Sequence, residues 1–207
     1  VVCSANAYRL AARSVTVKLS ATTGTCSGTV ISDSRQTGAL YVLTASHCGY
    51  TTQAIANSVL VDWYYEISSC DPQSQLSRNY ATSTYGLDLL YAGDPAAGGP
   101  DITLLRLRDV PGGMPIVAAP WAAYEPPSGV QVVGIHHAAA LPKKASFGST
   151  RSNTRCTFNG TGFSCEGSGS IFAYVDWSAM NALTAKGSSG SGLFDTAGVL
   201  YGVLSGG

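Results

Sequence analysis

The sequence predicts an all-β protein, because short strand-forming runs recur between turns and no segment keeps a helical period over several turns. Its 24 glycines are interspersed with runs rich in Val, Ile, Thr and Tyr, the residues that favour strands. One segment, residues 5–13, could form one or two helical turns. Many short strands joined by glycine-rich turns are typical of a β-sandwich or of β-barrels.

Eight runs are predicted as strands: 15–19, 27–31, 41–44, 59–67, 102–107, 130–135, 171–177 and 199–204. In the run 59–67 the odd-numbered positions from Val59 to Tyr65 are apolar or aromatic, so they would share one face of a sheet. Residues 150–170 are polar, and Cys156 and Cys165 lie close enough there to close a hairpin. Asn159-Gly160 begins a glycosylation acceptor, but a hairpin turn is the favoured interpretation.

The middle of the chain predicts a boundary between two domains. Residues 111–115 are rich in proline and glycine and Pro120 follows them, which interrupts the strand pattern. We expect a crossover at this point, with one β-domain over residues 1–112 and a second over residues 113–207.

Composition excludes several classes of function. Lys plus Arg number 12 and Asp plus Glu number 12, so the net charge is zero and no basic excess indicates a nucleic-acid partner. No apolar stretch approaches the roughly 18 residues that span a membrane. No metal-ligand spacing or phosphate loop is present, so no cofactor is expected.

The cysteine count indicates an oxidising, extracellular environment with three disulfides. The six residues are Cys3, Cys26, Cys48, Cys70, Cys156 and Cys165. Zinc binding is the competing interpretation, but the usual C-x2-C and H-x3-H spacings are absent. Spacing alone leaves the pairing open. The chain begins without a leader pattern, so we expect Val1 to be a mature N-terminus left after removal of a signal and a propeptide.

Two residues stand in settings that suit nucleophilic catalysis. His47 follows an apolar strand, whose rigid end can hold an imidazole as a base; a structural histidine is the alternative. Ser189 lies in the run 187–192, Gly-Ser-Ser-Gly-Ser-Gly, whose small residues suit a tight turn that exposes a hydroxyl and aims N–H groups at an oxyanion. A flexible turn is the alternative there. Serine needs an adjacent base, and His47 could supply it if the fold brings the two together.

A third residue, Asp101, precedes the apolar strand 102–107. A buried carboxylate needs a strong partner, and an imidazole N–H is such a partner. Asp88 and Asp94 are competing acids, and a surface turn is the structural alternative for Asp101. We favour Asp101 because an alternating strand follows it and does not follow Asp88. The three residues then occur in the order His, Asp, Ser of the chymotrypsin arrangement.

Around these residues the chain resembles the bacterial lysyl endopeptidases, which are secreted trypsin-like serine proteases. The similar segments are 1–3, 41–49, 58–70, 101–107, 134–137, 187–191 and 202–207. The resemblance implies two antiparallel six-stranded β-barrels with the active site between them, and a polypeptide substrate. It implies that His47 is the general base, Asp101 its orienting acid and Ser189 the nucleophile. The N–H groups of Gly187 and Ser189 would form the oxyanion hole.

The same resemblance implies the disulfides Cys3–Cys70 and Cys26–Cys48 and leaves Cys156–Cys165 as a pair peculiar to this chain. His136 and His137 also match the family, but they receive no chemical role and are expected to be structural or surface residues.

Some positions depart from the family pattern. Ser188 stands where mammalian trypsin-like enzymes carry the aspartate that pairs with a new N-terminal ammonium, so a zymogen matured by propeptide removal fits better. Ser205 stands where the family has a histidine before paired glycines. Residues 157–164 hold no clear counterpart of the tryptophan beside the family's substrate groove.

Substrate contacts are expected from Leu183, Ser205, Gly206 and Gly207. Leu183 stands where trypsin keeps its pocket acid, so a basic P1 preference follows from the family analogy alone. Family members continue past the paired glycines. The second barrel is therefore predicted to be incomplete at its C-terminal end, with a clipped fragment of the same precursor held non-covalently as a second chain.

Two other functions compete with an active protease. An inactive protease-fold protein used for binding or adhesion would keep the fold, although all three triad residues are present. An α/β-hydrolase esterase would need the motif Gly-x-Ser-x-Gly and the order Ser, Asp, His. The run around Ser189 lacks the second glycine at that spacing, and the order of the three residues differs.

Overall fold

The computed structural model describes residues 12–35, 37–67, 69, 82–160, 162–165, 167–177 and 184–206. In these ranges the chain forms thirteen β-strands, the short α-helix Gln53–Ala56, a helical stretch at residues 12–15 and three 3-10 turns, which confirms the all-β class. Residues 12–15 are helical, and most of the helical segment predicted at 5–13 lies outside the described residues. No helix in the described ranges is long and apolar enough to cross a membrane.

The first sheet holds seven antiparallel strands in the order β5-β4-β1-β2-β3-β7-β6. The strands are β1 Thr16–Ala21, β2 Gly24–Ser32, β3 Leu40–Thr44, β4 Leu60–Trp63, β5 Thr82–Tyr85, β6 Leu87–Ala92 and β7 Thr103–Leu107, and helix α1 is Gln53–Ala56. Only Gly86, at a φ of +77°, separates β5 from β6. Because these two strands form opposite edges of the sheet, the sheet must curl until its edges meet.

Tight packing closes this curled sheet around an apolar core. Leu19, Val30, Val42, Val61 and Leu105 are fully buried. A Cβ added at Gly28 of β2 would lie 2.6 Å from Val42 Cγ1, so only glycine allows these strands to approach so closely.

The alternation predicted for residues 59–67 is only partly present. Val59, Val61 and Trp63 are buried as expected, but the strand β4 ends at Trp63. Tyr64 has a φ of +50°, in the left-handed region that a strand does not use. The prediction of a strand through residue 67 is therefore wrong.

The second sheet holds β8 to β13. Its order is β10-β9-β8-β12-β13, and β11 pairs with β9. The strands are β8 Gln131–His136, β9 Lys144–Phe158, β10 Phe163–Ser164, β11 Ser170–Asp176, β12 Gly192–Asp195 and β13 Leu200–Val203. Among the described residues β11 pairs only with β9, whereas β13 pairs with β12 and also forms an isolated parallel bridge from Leu200 to Trp121. The two curled antiparallel sheets confirm the predicted fold class, with seven and six strands where the resemblance implied six in each.

The segment between the sheets ties them together. The Ala119 N–H donates to the Val30 carbonyl of β2 at 2.8 Å. The Leu200 N–H of β13 donates to the Pro120 carbonyl at 2.9 Å. Trp121 donates its ring N–H to the Ser32 carbonyl at 2.9 Å. The proline-rich stretch predicted as a crossover is thus followed by a segment that contacts both sheets.

Candidate active site

The register of two strands in the first sheet brings His47 to Asp101. In the antiparallel pair β3–β7, Thr44 lies opposite Thr103. His47 follows Thr44 by one short turn and Asp101 precedes Thr103, so both residues emerge at the same end of the pair. A single turn of helix, Ser46–Cys48, carries His47. The Cys26–Cys48 disulfide ties this turn to β2.

The side chains of His47 and Asp101 are hydrogen-bonded in the geometry of an oriented base. His47 Nδ1 lies 2.7 Å from Asp101 Oδ2, and the His47 backbone N–H donates to Oδ1 at 2.9 Å. The Ser46 hydroxyl donates to the same Oδ1 at 3.0 Å. Because Asp101 Oδ2 accepts a hydrogen bond from Nδ1, the imidazole carries its proton on Nδ1. Nε2 can then accept a second proton.

Asp101 is only 3% exposed, yet its environment favours the ionised form. Burial opposes ionisation, but hydrogen bonds from His47, the charge that His47 can carry and the Ser205 hydroxyl outweigh it. Together they hold the pKa of Asp101 below its ordinary value. Ser205 was expected at the substrate groove, and the structure also places its hydroxyl on this carboxylate.

The two competing acids have other partners. Asp88 accepts hydrogen bonds from Arg106 and Arg108 on the protein surface. Asp94 accepts the N–H groups of Ala96 and Ala97 in the turn that follows it. Neither carboxylate approaches His47 in the described hydrogen bonds.

Residues 184–191, here called the Ser189 loop, pack directly against the end of β3, just before the turn that carries His47. The Ser189 carbonyl accepts the Ser27 N–H of β2 at 2.8 Å. Gly190, at a φ of +79°, lies so close to β3 that an added Cβ would be 2.1 Å from Thr44 Oγ1 and 2.9 Å from the Ala45 nitrogen. The loop therefore reaches the first sheet just before the turn of His47.

The carbonyls of the preceding residues orient the N–H groups of Gly187 and Ser189, which are expected in the oxyanion hole. The Lys186 carbonyl accepts the Ala139 N–H at 2.7 Å, and the Ser188 carbonyl accepts the Ser191 N–H at 3.1 Å. In a trans peptide the N–H points opposite to the carbonyl, so the N–H groups of Gly187 and Ser189 point away from these partners. Neither N–H donates to another described residue.

A groove of about 1110 Å³ opens beside His47 and Asp101. Its wall is rich in aromatic side chains, namely Tyr124, Phe158, Phe163, Phe172, Tyr174, Trp177 and Tyr201. Ser205 and Gly206, two of the predicted substrate contacts, also line it. Leu183 and Gly207 lie outside the described residues, as do Cys3 and Cys70, the two cysteines of the other implied disulfide.

Phe163 is a site residue that the sequence did not single out. Its ring lies edge-on to the His47 ring, with centroids 6.2 Å apart. The rings of Phe158 and Phe172 lie 5.1 Å and 5.0 Å from it. The Cys156–Cys165 disulfide closes the hairpin that carries Phe163. The signal for Phe163 was the disulfide-closed hairpin, which delivers an aromatic residue to the groove.

Both remaining histidines are buried, and one contacts the Ser189 loop. His136 Nδ1 lies 2.8 Å from Ser188 Oγ. The His137 N–H donates to Ser27 Oγ at 2.9 Å, and its Nδ1 lies 3.0 Å from the Leu141 carbonyl. Neither is a surface residue. Among the described residues no group of His, Cys, Asp and Glu is arranged to hold a metal ion.

Comparison with known proteins supports both the fold and the family. The family model "Lysyl endopeptidase, C-terminal domain" matches residues 1–207. A mutant of the Rv3671c protease of M. tuberculosis, in its inactive form, is 18% identical over 98% of this chain and 79% of its own, with a TM-score of 0.57. The HtrA-type protease AlgW, solved with a tripeptide, is 19% identical over 96% of this chain and 52% of its own, with a TM-score of 0.61. Deg5 is 15% identical over 96% and 82%, with a TM-score of 0.58.

Proposed function

The chain belongs to the lysyl endopeptidase family, and on this premise we propose that it is a serine endopeptidase with the triad His47, Asp101 and Ser189. The observation that carries the proposal is the pairing of His47 Nδ1 with the buried carboxylate of Asp101 at 2.7 Å. The Ser189 loop supports it, because its carbonyl is bonded to β2 next to the strand that precedes His47.

The proposed reaction proceeds through an acyl-enzyme. Ser189 Oγ attacks the scissile carbonyl while His47 Nε2 takes the hydroxyl proton, and the C–N bond breaks as His47 returns that proton to the leaving amine. A water molecule then repeats the sequence on the ester and releases Ser189. Asp101 stays ionised, in line with its lowered pKa, and stabilises the imidazolium. The N–H groups of Gly187 and Ser189 would bind the oxyanion, where one donor contributes roughly 10²- to 10³-fold in kcat.

The substrate in this proposal is a polypeptide, and Ser205, Gly206 and Gly207 are its proposed backbone contacts. Residues 1–112 form the domain with His47 and Asp101, and residues 113–207 the domain with Ser189. Family membership supports a basic P1 residue, and Leu183 is the proposed contact at the sequence position where trypsin keeps its pocket acid. Family membership and disulfides, which persist outside the cytosol, support a secreted protein released from a zymogen.

A strand of further polypeptide would complete the second sheet. Within the described residues β11 pairs only with β9. β13 pairs with β12 and, at Leu200 alone, with Trp121. Residues of both strands line the groove. Unpaired strand edges are ready partners for another strand. We propose that a C-terminal fragment of the same precursor, held non-covalently, pairs there. Intact-mass measurement of the active protein tests this: a single folded and active species of 21.3 kDa would rule the fragment out.

Two measurements test the protease assignment. A fluorophosphonate should label the wild-type protein at Ser189 and should not label Ser189→Ala. A peptide library read by mass spectrometry should show cleavage with a preference for Lys or Arg at P1. Folded protein that takes up no label and cleaves no peptide would contradict the proposal and would favour an inactive binding or adhesion protein.

A further inference from the structure

His136 is fully enclosed behind the Ser189 loop, where it bonds through both ring nitrogens. It ends β8 and is 1% exposed. Its Nδ1 lies 2.8 Å from Ser188 Oγ, and its Nε2 lies 2.8 Å from Ser146 Oγ on β9. The ring therefore connects the framework of the second sheet to the residue that precedes the candidate nucleophile.

The imidazole of His136 is neutral at physiological pH. Burial, together with the nearby charge of Lys144, lowers its pKa to about 4. A neutral ring offers one donor and one acceptor, and the two serine hydroxyls can satisfy both in either tautomer. The contact with Ser188 is thus a hydrogen bond between uncharged groups, at the position where mammalian trypsin-like enzymes use an ion pair.

Ser188 is held at four points, and His136 supplies one of them. Its N–H donates to the Ala185 carbonyl at 2.8 Å, and its carbonyl accepts the Ser191 N–H at 3.1 Å. Its hydroxyl accepts the Ala185 N–H at 3.1 Å and meets His136 Nδ1 at 2.8 Å. The peptide that follows Ser188 carries the N–H of Ser189, so a rotation of Ser188 changes the direction of that N–H.

We propose that His136 is a positioning residue whose Nδ1 hydrogen bond to Ser188 keeps the Ser189 N–H aimed at the oxyanion. The inference rests on the proposed protease function, since it concerns how that site is held. The inference gives the two ring nitrogens of His136 different roles. The hydrogen bond of Nδ1 to Ser188 supports catalysis, and the hydrogen bond of Nε2 to Ser146 supports packing.

Side-chain length provides a matched pair of variants. The amide of Asn reaches about as far as Nδ1, and the amide of Gln reaches about as far as Nε2. His136→Asn can therefore keep the bond to Ser188, and His136→Gln can keep the bond to Ser146. Ser146→Ala is the control, because it removes the partner of Nε2 and leaves the contact with Ser188 in place.

The readouts are the second-order rate of fluorophosphonate labelling, kcat and KM on the peptide that wild type cleaves best, and thermal unfolding. His136→Gln should lose roughly 10- to 100-fold in labelling rate and in kcat, because a misplaced donor costs up to about 10²-fold and less than the complete loss of one. Its KM should change little. His136→Asn should recover most of the rate, and Ser146→Ala should stay within about twofold of wild type even where its melting temperature falls.

A second test applies if a His136 variant fails to fold. Ser188→Ala should show the same kcat loss with KM retained, and adding His136→Gln to it should cost nothing more in rate. Equal rates for wild type, His136→Gln and Ser188→Ala would refute the positioning role. The role would also be refuted if the loss of rate were proportional to the loss of melting temperature in every variant, including Ser146→Ala. If wild type itself takes up no label, the protease function fails, and the inference fails with it.

Discussion

Replacing Asp101 by Asn tests the tautomer of His47, because the carboxylate of Asp101 faces only donors. Oδ1 accepts the His47 backbone N–H and the Ser46 hydroxyl, and Oδ2 accepts the Nδ1 proton of His47. A backbone N–H cannot become an acceptor, so the Asn oxygen must stay at the Oδ1 position. The Asn NH2 group then donates to Nδ1, which moves the imidazole proton to Nε2 and removes the base that Ser189 needs.

Asp101→Asn should lower kcat by about 10⁴-fold, as the corresponding change does in a chymotrypsin-type triad. That factor is roughly 5 kcal/mol in the activation barrier. KM should change little, because the Asp101 carboxylate is directed at His47 and does not contact substrate. Steady-state kinetics on the preferred peptide measure both constants. A folded variant that kept more than about a tenth of the wild-type kcat would refute this account of the pair.

Asp88→Asn is the matched control, because it changes the competing acid in the same way. Asp88 binds Arg106 and Arg108 at the surface, with distances of 2.6 Å to each. Exposed ion pairs contribute little to stability, so kcat should stay within about twofold of wild type. A loss as large as that of Asp101→Asn would mean that the wrong acid has been assigned.

Three further perturbations follow from the described contacts. Gly190→Ala should lower the melting temperature and reduce kcat at least about tenfold, because its Cβ would lie 2.1 Å from a threonine oxygen of β3 at a φ of +79°; a stable, fully active variant would contradict that packing. Phe163→Ala should reduce kcat/KM roughly tenfold, because the ring packs edge-on to His47. Unchanged kinetics would show that the Phe163 ring does not contribute to catalysis or substrate binding. Burial lowers the pKa of His136 to about 4 and of His137 to about 3, so the unfolded chain binds these protons first. The free energy of unfolding should therefore fall as the pH drops from about 6.5 toward 4, by about 3 kcal/mol for each histidine. Urea unfolding at several pH values measures this, and a flat profile would show that these histidines are not buried in neutral form.

The sequence predicted the parts of the fold and site that short-range pattern controls. An apolar run before His47 and an alternating run after Asp101 form β3 and β7, and the pairing of these strands brings the two residues together. The glycines around Ser189 anticipated a tight loop, and Gly187 and Gly190 do adopt positive φ.

Other elements depend on contacts that a local pattern does not contain. β9 extends over 15 residues, although its second half is rich in Ser, Thr, Asn and Arg, because β11 and β10 supply backbone partners to that half. The exact end of β4 is set by the backbone of Tyr64, which propensity did not indicate. His136 and Phe163 each contact a site residue far away in the chain, so only the fold reveals what they touch.

Ser27 shows how the two sheets keep the base and the nucleophile in register. Its N–H donates to the Ser189 carbonyl at 2.8 Å, and its hydroxyl donates to the Gly187 carbonyl at 2.9 Å. The same hydroxyl accepts the His137 N–H at 2.9 Å, and its carbonyl accepts the Thr44 hydroxyl at 2.8 Å. One buried residue of the first sheet thus holds the loop of the second sheet against the strand that leads to the candidate base. Because each of these bonds fixes a backbone group on one side, a shift between the sheets would break several of them at once, and this holds the backbone of the Ser189 loop beside the strand that leads to His47.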